Sequence, residues 1–373
     1  MTVRTRADYE HMLSAVGVCT SARVPILIWG NPGEGKTAVI ESAAQRGWHV
    51  ESLIISHYEP SDFAGLPVVT PDGAVNLAPP GWARRLADHD GPSIAFFDEF
   101  STASPSLQAA ALRPLTHFEV GSLKLPETVS FVAAANPSDV AAAGWELAAP
   151  TSNRFVHLDW EMPLEVYAEC MVTDQWPTLP VHDTPLDLGT QVRAIKVMVS
   201  GFLNARQTQL SSIPKSAADR GRAFPTPRTW DYAARLLAFA QTVEAHKATQ
   251  RLLVAGCVGD AIAHEFLTWL GNQDLPDADE LLAGNDFDFT KVRPDRVYVI
   301  LQSVLAAVIR ETTAERWTRA VEICSRAAAA VGIDPAVPAV RALVRGGLRP
   351  PTATLPPDIK VFGAALSLAG LLK

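Results

Sequence analysis

The chain has 373 residues, of which 48% are hydrophobic and 19% are charged, and its formal net charge at pH 7 is -8. A chain of this length and composition can bury at least one large core and has room for two or three domains. The acidic balance disfavours non-specific binding to nucleic acids or to anionic membranes, because both attract an excess of basic residues.

Targeting signals are not visible in the sequence. Residues 1–13 carry charges throughout and lack the apolar segment of a signal peptide. The longest apolar run, at 361–372, is too short to cross a bilayer and is predicted to pack as a helix. The cysteines are scattered without a CxxC pair, which predicts buried, reduced thiols: Cys19, Cys170, Cys257 and Cys324. We therefore expect a cytoplasmic protein.

The first part of the chain alternates β-like runs with helical stretches. Continuous apolar runs predict buried strands at 24–29, 52–55, 93–97 and 130–135, with a weaker fifth strand at 155–160. Helical patterns lie between them at 35–45 and 104–115. This alternation predicts an α/β fold with a mostly parallel sheet. Turn signals between strand-like residues further predict β-hairpin inserts at 65–82 and 117–129.

The second part of the chain is predicted to be helical. A proline-rich segment at 176–189 predicts a surface loop, and an acidic, turn-rich segment at 271–289 predicts a second break. Helical periodicity fills the remainder, at 191–206, 229–243, 259–270, 295–310 and 315–331. We therefore predict an α/β domain at 1–165, a helical domain at 166–270 and a helical extension at 271–373.

The strongest motif is GNPGEGKT at 30–37, which fits the G-x-x-x-x-G-K-[ST] phosphate-binding loop (P-loop). It follows a predicted strand and opens a predicted helix, so glycines and the helix N-terminus can direct N–H groups at phosphate oxygens. Lys36 is predicted to reach the β- and γ-phosphates, and the Thr37 hydroxyl to coordinate Mg²⁺. The alternative is an ordinary glycine-rich turn. The predicted nucleotide-binding residues are Gly30, Asn31, Pro32, Gly33, Glu34, Gly35, Lys36, Thr37 and Ala38.

A second motif is the Asp98-Glu99 pair, which follows the apolar run at 93–97. Whatever follows a parallel strand lies at the ligand crevice of the sheet. Asp98 is therefore predicted to hold Mg²⁺ through water, and Glu99 to polarise the attacking water as a general base. Alone, such a pair is also common on solvated surfaces.

A third candidate is Asn136, which follows the apolar run at 130–135. If this strand lies next to the first strand, the amide points at the γ-phosphate and can orient the attacking water. The alternative is a simple turn formed by the Asn-Pro pair. The nine tryptophans are spread along the chain and are interpreted as core or interface residues rather than as a base-stacking platform.

The order of these motifs resembles that of AAA+ ATPases, and the details resemble the MoxR family, relatives of the magnesium-chelatase ATPase subunit. The resemblance covers roughly residues 20–240 and includes the two hairpins; its strings are GNPGEGKT, EPSDFAG (59–65), FFDEF, AAANPSD and ELAAPTSNRF (146–155). Relatives commonly have ATQNP or ATMNP where this chain has AAANP. The resemblance implies a P-loop NTPase core at 1–165 and an α-helical lid at 166–270, and it leaves 271–373 unassigned.

The resemblance also implies roles for two arginines. Arg154, in Asn153-Arg154-Phe155, would be an arginine finger that reaches the γ-phosphate held by a neighbouring subunit. Arg228 would be the sensor-2 arginine that closes the lid on the nucleotide. The alternatives are a surface or salt-bridging arginine at 154 and a helix-start arginine with local contacts at 228. Arg113 is a competing finger inside the helix predicted at 104–115.

The function implied by the resemblance is Mg²⁺-dependent ATP hydrolysis by a ring, with six protomers expected, that remodels or activates a protein client. In this family the client is often a von Willebrand factor A domain protein or a metalloenzyme awaiting activation. The preference for ATP over GTP rests on the resemblance. Two alternatives remain: a nucleotide-gated scaffold with little turnover, which has no need of Glu99, and a nucleic-acid translocase, which the acidic balance disfavours. A phosphoryl-transfer kinase is disfavoured further, and no membrane partner is expected.

Overall fold

The computed structural model describes residues 5–137, 144–272, 275–345, 348–354 and 356–368. Its contacts group the chain into two compact units. The first unit contains 1–188 and 210–264, and the second contains 189–209 and 265–373. The helical segment predicted at 191–206 therefore groups largely with the C-terminal helices. The three domain ranges given above stay a prediction.

The strands of the first unit form one sheet and two hairpins. In chain order they are β1 (Ile26–Trp29), β2 (His49–Ile54), β3 (Leu66–Val69), β4 (Val75–Ala78), β5 (Ser93–Asp98), β6 (Glu119–Val120), β7 (Leu123–Lys124), β8 (Val129–Ala135) and β9 (Val156–Asp159). The sheet has the order β2-β5-β8-β1-β9, and all neighbouring strands are parallel. The predicted α/β class is confirmed. Because β8 lies between β1 and β5, the residues that follow these three strands share one edge of the sheet.

The two hairpins are also confirmed. β3 pairs with β4 in an antiparallel ladder, and Gly73 closes their turn with a φ of +82°. β6 pairs with β7 in the same way, with Gly121 at a φ of +58°. Glycine adopts such angles without the steric cost of a side chain, which explains the turn signals in the sequence.

Helices form in each predicted periodic segment, and others lie outside those segments, such as Arg6–Ser21 and Lys247–Val258. In chain order they are α1 (Arg6–Ser21), α2 (Lys36–Glu41), α3 (Ser61–Ala64), α4 (Gly81–Ala87), α5 (Pro105–His117), α6 (Ala149–Ser152), α7 (Leu164–Thr173), α8 (Leu188–Ala205), α9 (Ala217–Arg220), α10 (Pro227–Thr242), α11 (Lys247–Val258), α12 (Asp260–Gly271), α13 (Ala278–Ala283), α14 (Pro294–Arg310), α15 (Ala314–Val331), α16 (Val337–Val344) and α17 (Gly363–Leu368). In the part of the chain that the structure describes, none of them is long and apolar enough to span a membrane.

Each unit has its own apolar core. In the first unit, Trp82 of α4 and Leu107 of α5 pack against Phe97 and Phe131 of the sheet. In the second unit, α13 to α17 enclose a core around Trp317, whose indole Nε1 donates to the carbonyl oxygen of Leu343 at 2.9 Å. The four cysteines are free and buried, as predicted.

Two expectations for the C-terminal part need correction. The segment 271–289 is not a loop throughout, because it contains the short helix α13: Asp277 caps its N-terminus, and Leu281 and Leu282 are buried. The helix expected at 361–372 begins later than predicted, because 357–362 form a 3₁₀ turn and α17 starts at Gly363. Residues 369–372 lie outside the described residues.

Candidate active site

The P-loop runs from β1 to α2 at the carboxyl edge of the sheet. Gly30 continues the ladder beyond β1, since its N–H donates to the carbonyl oxygen of Ala135 at 3.1 Å. A Cβ atom at Gly30 would lie 2.7 Å from the carbonyl oxygen of Trp160, so only glycine fits there. Gly33 and Gly35 have φ angles of +82° and +77°, which side chains disfavour. These glycines let the loop wrap tightly in front of α2.

Lys36 is buried within this loop. Its Nζ donates to the carbonyl oxygens of Gly30 at 2.6 Å and Asn31 at 2.7 Å, and lies 3.4 Å from Oδ1 of Asn136. Burial lowers the pKa of the Lys36 ammonium, while the charges of Glu34 and Asp98 oppose that shift. The ammonium is therefore held by neutral oxygens at the place where phosphate oxygens would enter.

Thr37 and Asp98 meet at the start of α2. The Thr37 hydroxyl donates to Oδ2 of Asp98 at 2.7 Å. Mg²⁺ prefers oxygen ligands and takes few of them from the protein. A hydroxyl and a carboxylate side by side fit this ion, so the two residues predicted as its ligands are brought together.

Glu99 has an unusual backbone conformation for a residue with a side chain. Its φ is +54°, and such angles cost about 1–3 kcal/mol and concentrate at functional sites. Thr102 holds it there, because its N–H and its hydroxyl both donate to the carbonyl oxygen of Glu99. The exposed carboxylate lies 3.5 Å from the Ser56 hydroxyl. Ser56 was not predicted from the sequence, although it lies just after β2, the strand that pairs with β5.

Asn136 was expected at the site if the strand before it lay next to the first strand. This arrangement is present, because β8 pairs directly with β1. Its backbone N–H donates to the hydroxyl of Ser101 at 3.2 Å, and its amide oxygen faces the Lys36 ammonium. The side chain is thus fixed between the P-loop and the segment after β5.

Arg154 and Arg228 lie beside one another. Arg154 donates through Nε to the Thr116 hydroxyl at 2.9 Å and through Nη1 to the carbonyl oxygen of Pro150. Nη1 of Arg228 lies 3.5 Å from Oδ1 of Asn153. Burial lowers the pKa of Arg154, and the adjacent charge of Arg228 lowers it further.

These two arginines stand apart from the other predicted residues in their contacts. Within the described residues, neither forms an ion pair and neither donates a hydrogen bond to the P-loop. Arg113, the competing finger, instead pairs with Glu119 at 3.0 Å. The structure therefore brings Lys36 to Asn136 and Thr37 to Asp98 at the same edge of the sheet, and places Arg154 and Arg228 together as a separate pair.

A pocket of about 700 Å³ opens beside the P-loop. The loop and α2 contribute one wall, and residues that follow β9 contribute the other: Met162, Leu164, Tyr167, Trp176, Pro177 and Thr178. The rings of Tyr167 and Trp176 meet edge to face, 6.1 Å apart. Trp176 is 47% exposed and is therefore not a core residue. Of the interpretation made from the sequence, only the interface part can apply to it.

Comparison with known proteins adds little to this picture. No protein-family model matches the chain, and no curated protein matches it. A solved protein from Cytophaga hutchinsonii, provisionally assigned as an ATPase, is similar at 16% identity and a TM-score of 0.42, over 71% of this chain and 90% of its own. A RuvB variant from Thermotoga maritima is similar at 14% identity and a TM-score of 0.28, over 82% of this chain and 77% of its own. At these values the likeness carries no functional argument.

Proposed function

We propose that this chain is a Mg²⁺-dependent ATPase of the AAA+ class, with the MoxR family as the nearest description. One observation carries the proposal: a P-loop lysine, a Thr–Asp pair, a glutamate and an asparagine converge at the carboxyl edge of β1, β8 and β5. Phosphoryl transfer to water needs this set, because its catalysis consists of positioning and charge stabilisation. A site that only bound nucleotide would need no acidic residue in the place of Glu99.

Each side chain has a separate task in this mechanism. Lys36 exchanges its carbonyl partners in the loop for β- and γ-phosphate oxygens. Thr37 and Asp98 would hold Mg²⁺, which would neutralise charge on the phosphates. Glu99 accepts a proton from the attacking water, while the amide of Asn136 orients that water. Bond formation between this water and the γ-phosphorus accompanies loss of ADP, and the proton passes to Glu99.

The pocket beside the P-loop supplies a place for the base. Tyr167 and Trp176 offer aromatic faces for stacking, and Met162 offers an adaptable apolar contact. A carboxylate that could pair with the N1–H and amino group of guanine is present only at Glu34 among the lining residues of this pocket. Its Oε1 accepts from Asn31 at 3.0 Å, whereas its Oε2 is buried and has no hydrogen-bond partner among the described residues. The lining therefore does not discriminate adenine from guanine, and ATP is proposed as the substrate on the family resemblance.

Arg154 and Arg228 are proposed to act as a pair on a phosphate of a neighbouring protomer. Two adjacent cations without a carboxylate partner form a strong site for an anion. Their lack of a hydrogen bond to their own P-loop supports action across an interface, and Arg228 would then work beside Arg154 rather than on the nucleotide of its own chain.

Protomers would associate head to tail in a closed ring of about six, as such interfaces allow. The client is proposed to be a cytoplasmic protein, for which a von Willebrand factor A domain protein is the family precedent.

The test is Mg·ATP turnover with Glu99→Gln and, as a control, the exposed Glu127→Gln, measured over a wide range of protein concentration. We expect Glu99→Gln to lower kcat about 10³-fold with nucleotide binding intact, since it removes the general base. Specific activity of the parent should rise with concentration and reach a plateau. Normal turnover by Glu99→Gln would refute the mechanism. Nucleotide binding without turnover at any concentration would favour the scaffold, and stimulation by single-stranded DNA would favour the translocase.

A further inference from the structure

A buried hydrogen-bonded circuit begins at Trp29, the residue directly before the P-loop. Trp29 Nε1 donates to Nδ1 of His157 on the adjacent strand at 3.0 Å. Because the indole N–H can only donate, the His157 proton lies on Nε2, which is 3.0 Å from the carbonyl oxygen of Ser152. Burial lowers the pKa of His157 to about 4, so the ring keeps this neutral form at physiological pH.

The circuit continues from Ser152 to Arg222 and returns to Trp29. The Ser152 hydroxyl lies 3.3 Å from His157 Nε2 and donates to the carbonyl oxygen of Arg222 at 2.8 Å. The Arg222 guanidinium lies over the Trp29 ring, 4.4 Å from its centroid. It also pairs at 2.8 Å with Asp159, the register partner of Trp29 on β9. Three segments distant in sequence are thereby joined: the end of β1, residues 152–159 and the loop that contains Arg222.

Two of these segments carry the arginine pair. Ser152 ends α6, two residues before Arg154. Arg222 leads into the N-cap of α10 at Thr226, two residues before Arg228. A second link joins the same segments, because the Thr226 hydroxyl donates to Oδ1 of Asn153 at 3.1 Å. Packed, hydrogen-bonded groups thus connect the end of β1 to the segments of both arginines.

We propose that Ser152 and Arg222 are positioning residues that couple nucleotide binding at the P-loop to the placement of Arg154 and Arg228. This inference rests on the proposed ATPase function. Neither residue touches the nucleotide; each acts through the circuit that starts at Trp29. Packed side chains and hydrogen bonds can carry energetic coupling between two sites, and the circuit supplies such a connection between the loop and the arginines.

Ser152→Ala is the first test, with Ser130→Ala as its matched control. Both serines are buried in the first unit and donate to backbone carbonyls, but Ser130 donates to Thr20, outside the circuit. We expect Ser152→Ala to lower kcat about tenfold and to leave the Kd for ATP unchanged, since small misplacement of a catalytic group costs rate rather than affinity. Ser130→Ala should change neither.

Hydrogen exchange supplies the readout that a purely structural role would not move. In the parent protein, Mg²⁺ with the non-hydrolysable analogue AMP-PNP should slow exchange in 30–37, 149–155 and 221–228. In Ser152→Ala the slowing at 30–37 should persist, while the response of the other two segments is lost. An unchanged response in Ser152→Ala, or an equal loss in Ser130→Ala, would overturn the coupling.

Arg222→Gln keeps the proposal testable if Ser152→Ala does not fold. Arg222 is partly exposed, so its replacement leaves the core intact. The control is Arg85→Gln, which removes another partly exposed guanidinium from its carboxylate partner, Glu51, outside the circuit. We expect Arg222→Gln to reproduce the loss of response and Arg85→Gln to retain it. A parent protein in which AMP-PNP fails to protect 30–37 would refute the ATPase function itself, whereas protected 30–37 with a normal response in Arg222→Gln would refute the coupling alone.

Discussion

Two groups of arginines in this chain have opposite surroundings. In the second unit, Arg310 and Arg316 both contact the carboxylate of Asp279. In the first unit, Arg154 and Arg228 contact hydroxyl, carbonyl and amide oxygens. Cations that have a carboxylate partner stabilise the fold around them, whereas adjacent cations with neutral partners keep their charge for an external anion. The comparison thus separates arginines that pair with a carboxylate of their own unit from arginines that are proposed to bind a phosphate.

The largest effect should come from Arg154→Ala. Loss of a cation that stabilises the transferring phosphate should lower kcat about 10³-fold, with the melting temperature unchanged. Arg316→Ala should lower the melting temperature, because Asp279 loses a partner, and should leave kcat unchanged, because Arg316 lies in the second unit. Turnover assays and thermal unfolding of the two variants measure this exchange of effects. A loss of stability in Arg154→Ala equal to that in Arg316→Ala would break the comparison.

A smaller effect is expected for Arg228→Ala, about 10²-fold on kcat, because Arg154 remains. If the two arginines bind one phosphate, the double variant should lose less activity than the product of the single losses. Multiplicative losses in steady-state assays would show that the two side chains act independently. Arg113→Ala is a useful reference, since its contact is with Glu119.

The smallest effect is a pH dependence of stability in the second unit. Hydrogen bonds from Arg316 and Arg310 lower the pKa of Asp279 below its ordinary value of 3.8. The resulting stabilisation is fully present above that value and is lost as the pH falls through the lowered pKa. Asp279 is about half exposed, so we expect only ~0.5 kcal/mol after solvent screening. We expect the free energy of unfolding of Asp279→Asn, measured with urea between pH 2 and 7, to lack this part of the decrease at low pH. Turnover at pH 7 should be unchanged.

Much of the site could be predicted because it is encoded locally. The glycines of the P-loop, the Asp98-Glu99 pair and Asn136 each follow an apolar strand, and parallel strands end at the same edge. The position of Asn136 depended on which strands are neighbours, and the pairing of β1 with β8 supplied that information. Local signals therefore identified the residues, and the sheet order brought them together.

The features that escaped prediction depend on contacts between distant segments. His157 is one residue within a short apolar strand, and nothing near it in sequence indicates Trp29 or Arg222 as partners. Trp176 lies in a proline-rich loop whose path to the P-loop no periodic pattern specifies. The helix α13 was missed because its charged, turn-rich sequence hides two buried leucines. Tertiary packing overrides local preference in each case.

The contacts of the Lys36 ammonium have a consequence for the affinity of the P-loop. Lys36 donates hydrogen bonds to the carbonyl oxygens of Gly30 and Asn31, so the loop itself supplies partners for this charge. Nucleotide association is therefore an exchange of oxygens, and its affinity is the difference between two sets of contacts. In the proposed mechanism, product release reverses this exchange, because Lys36 donates to the backbone again as the phosphate leaves. We therefore expect the carbonyl oxygens of the P-loop to limit the affinity for the product nucleotide.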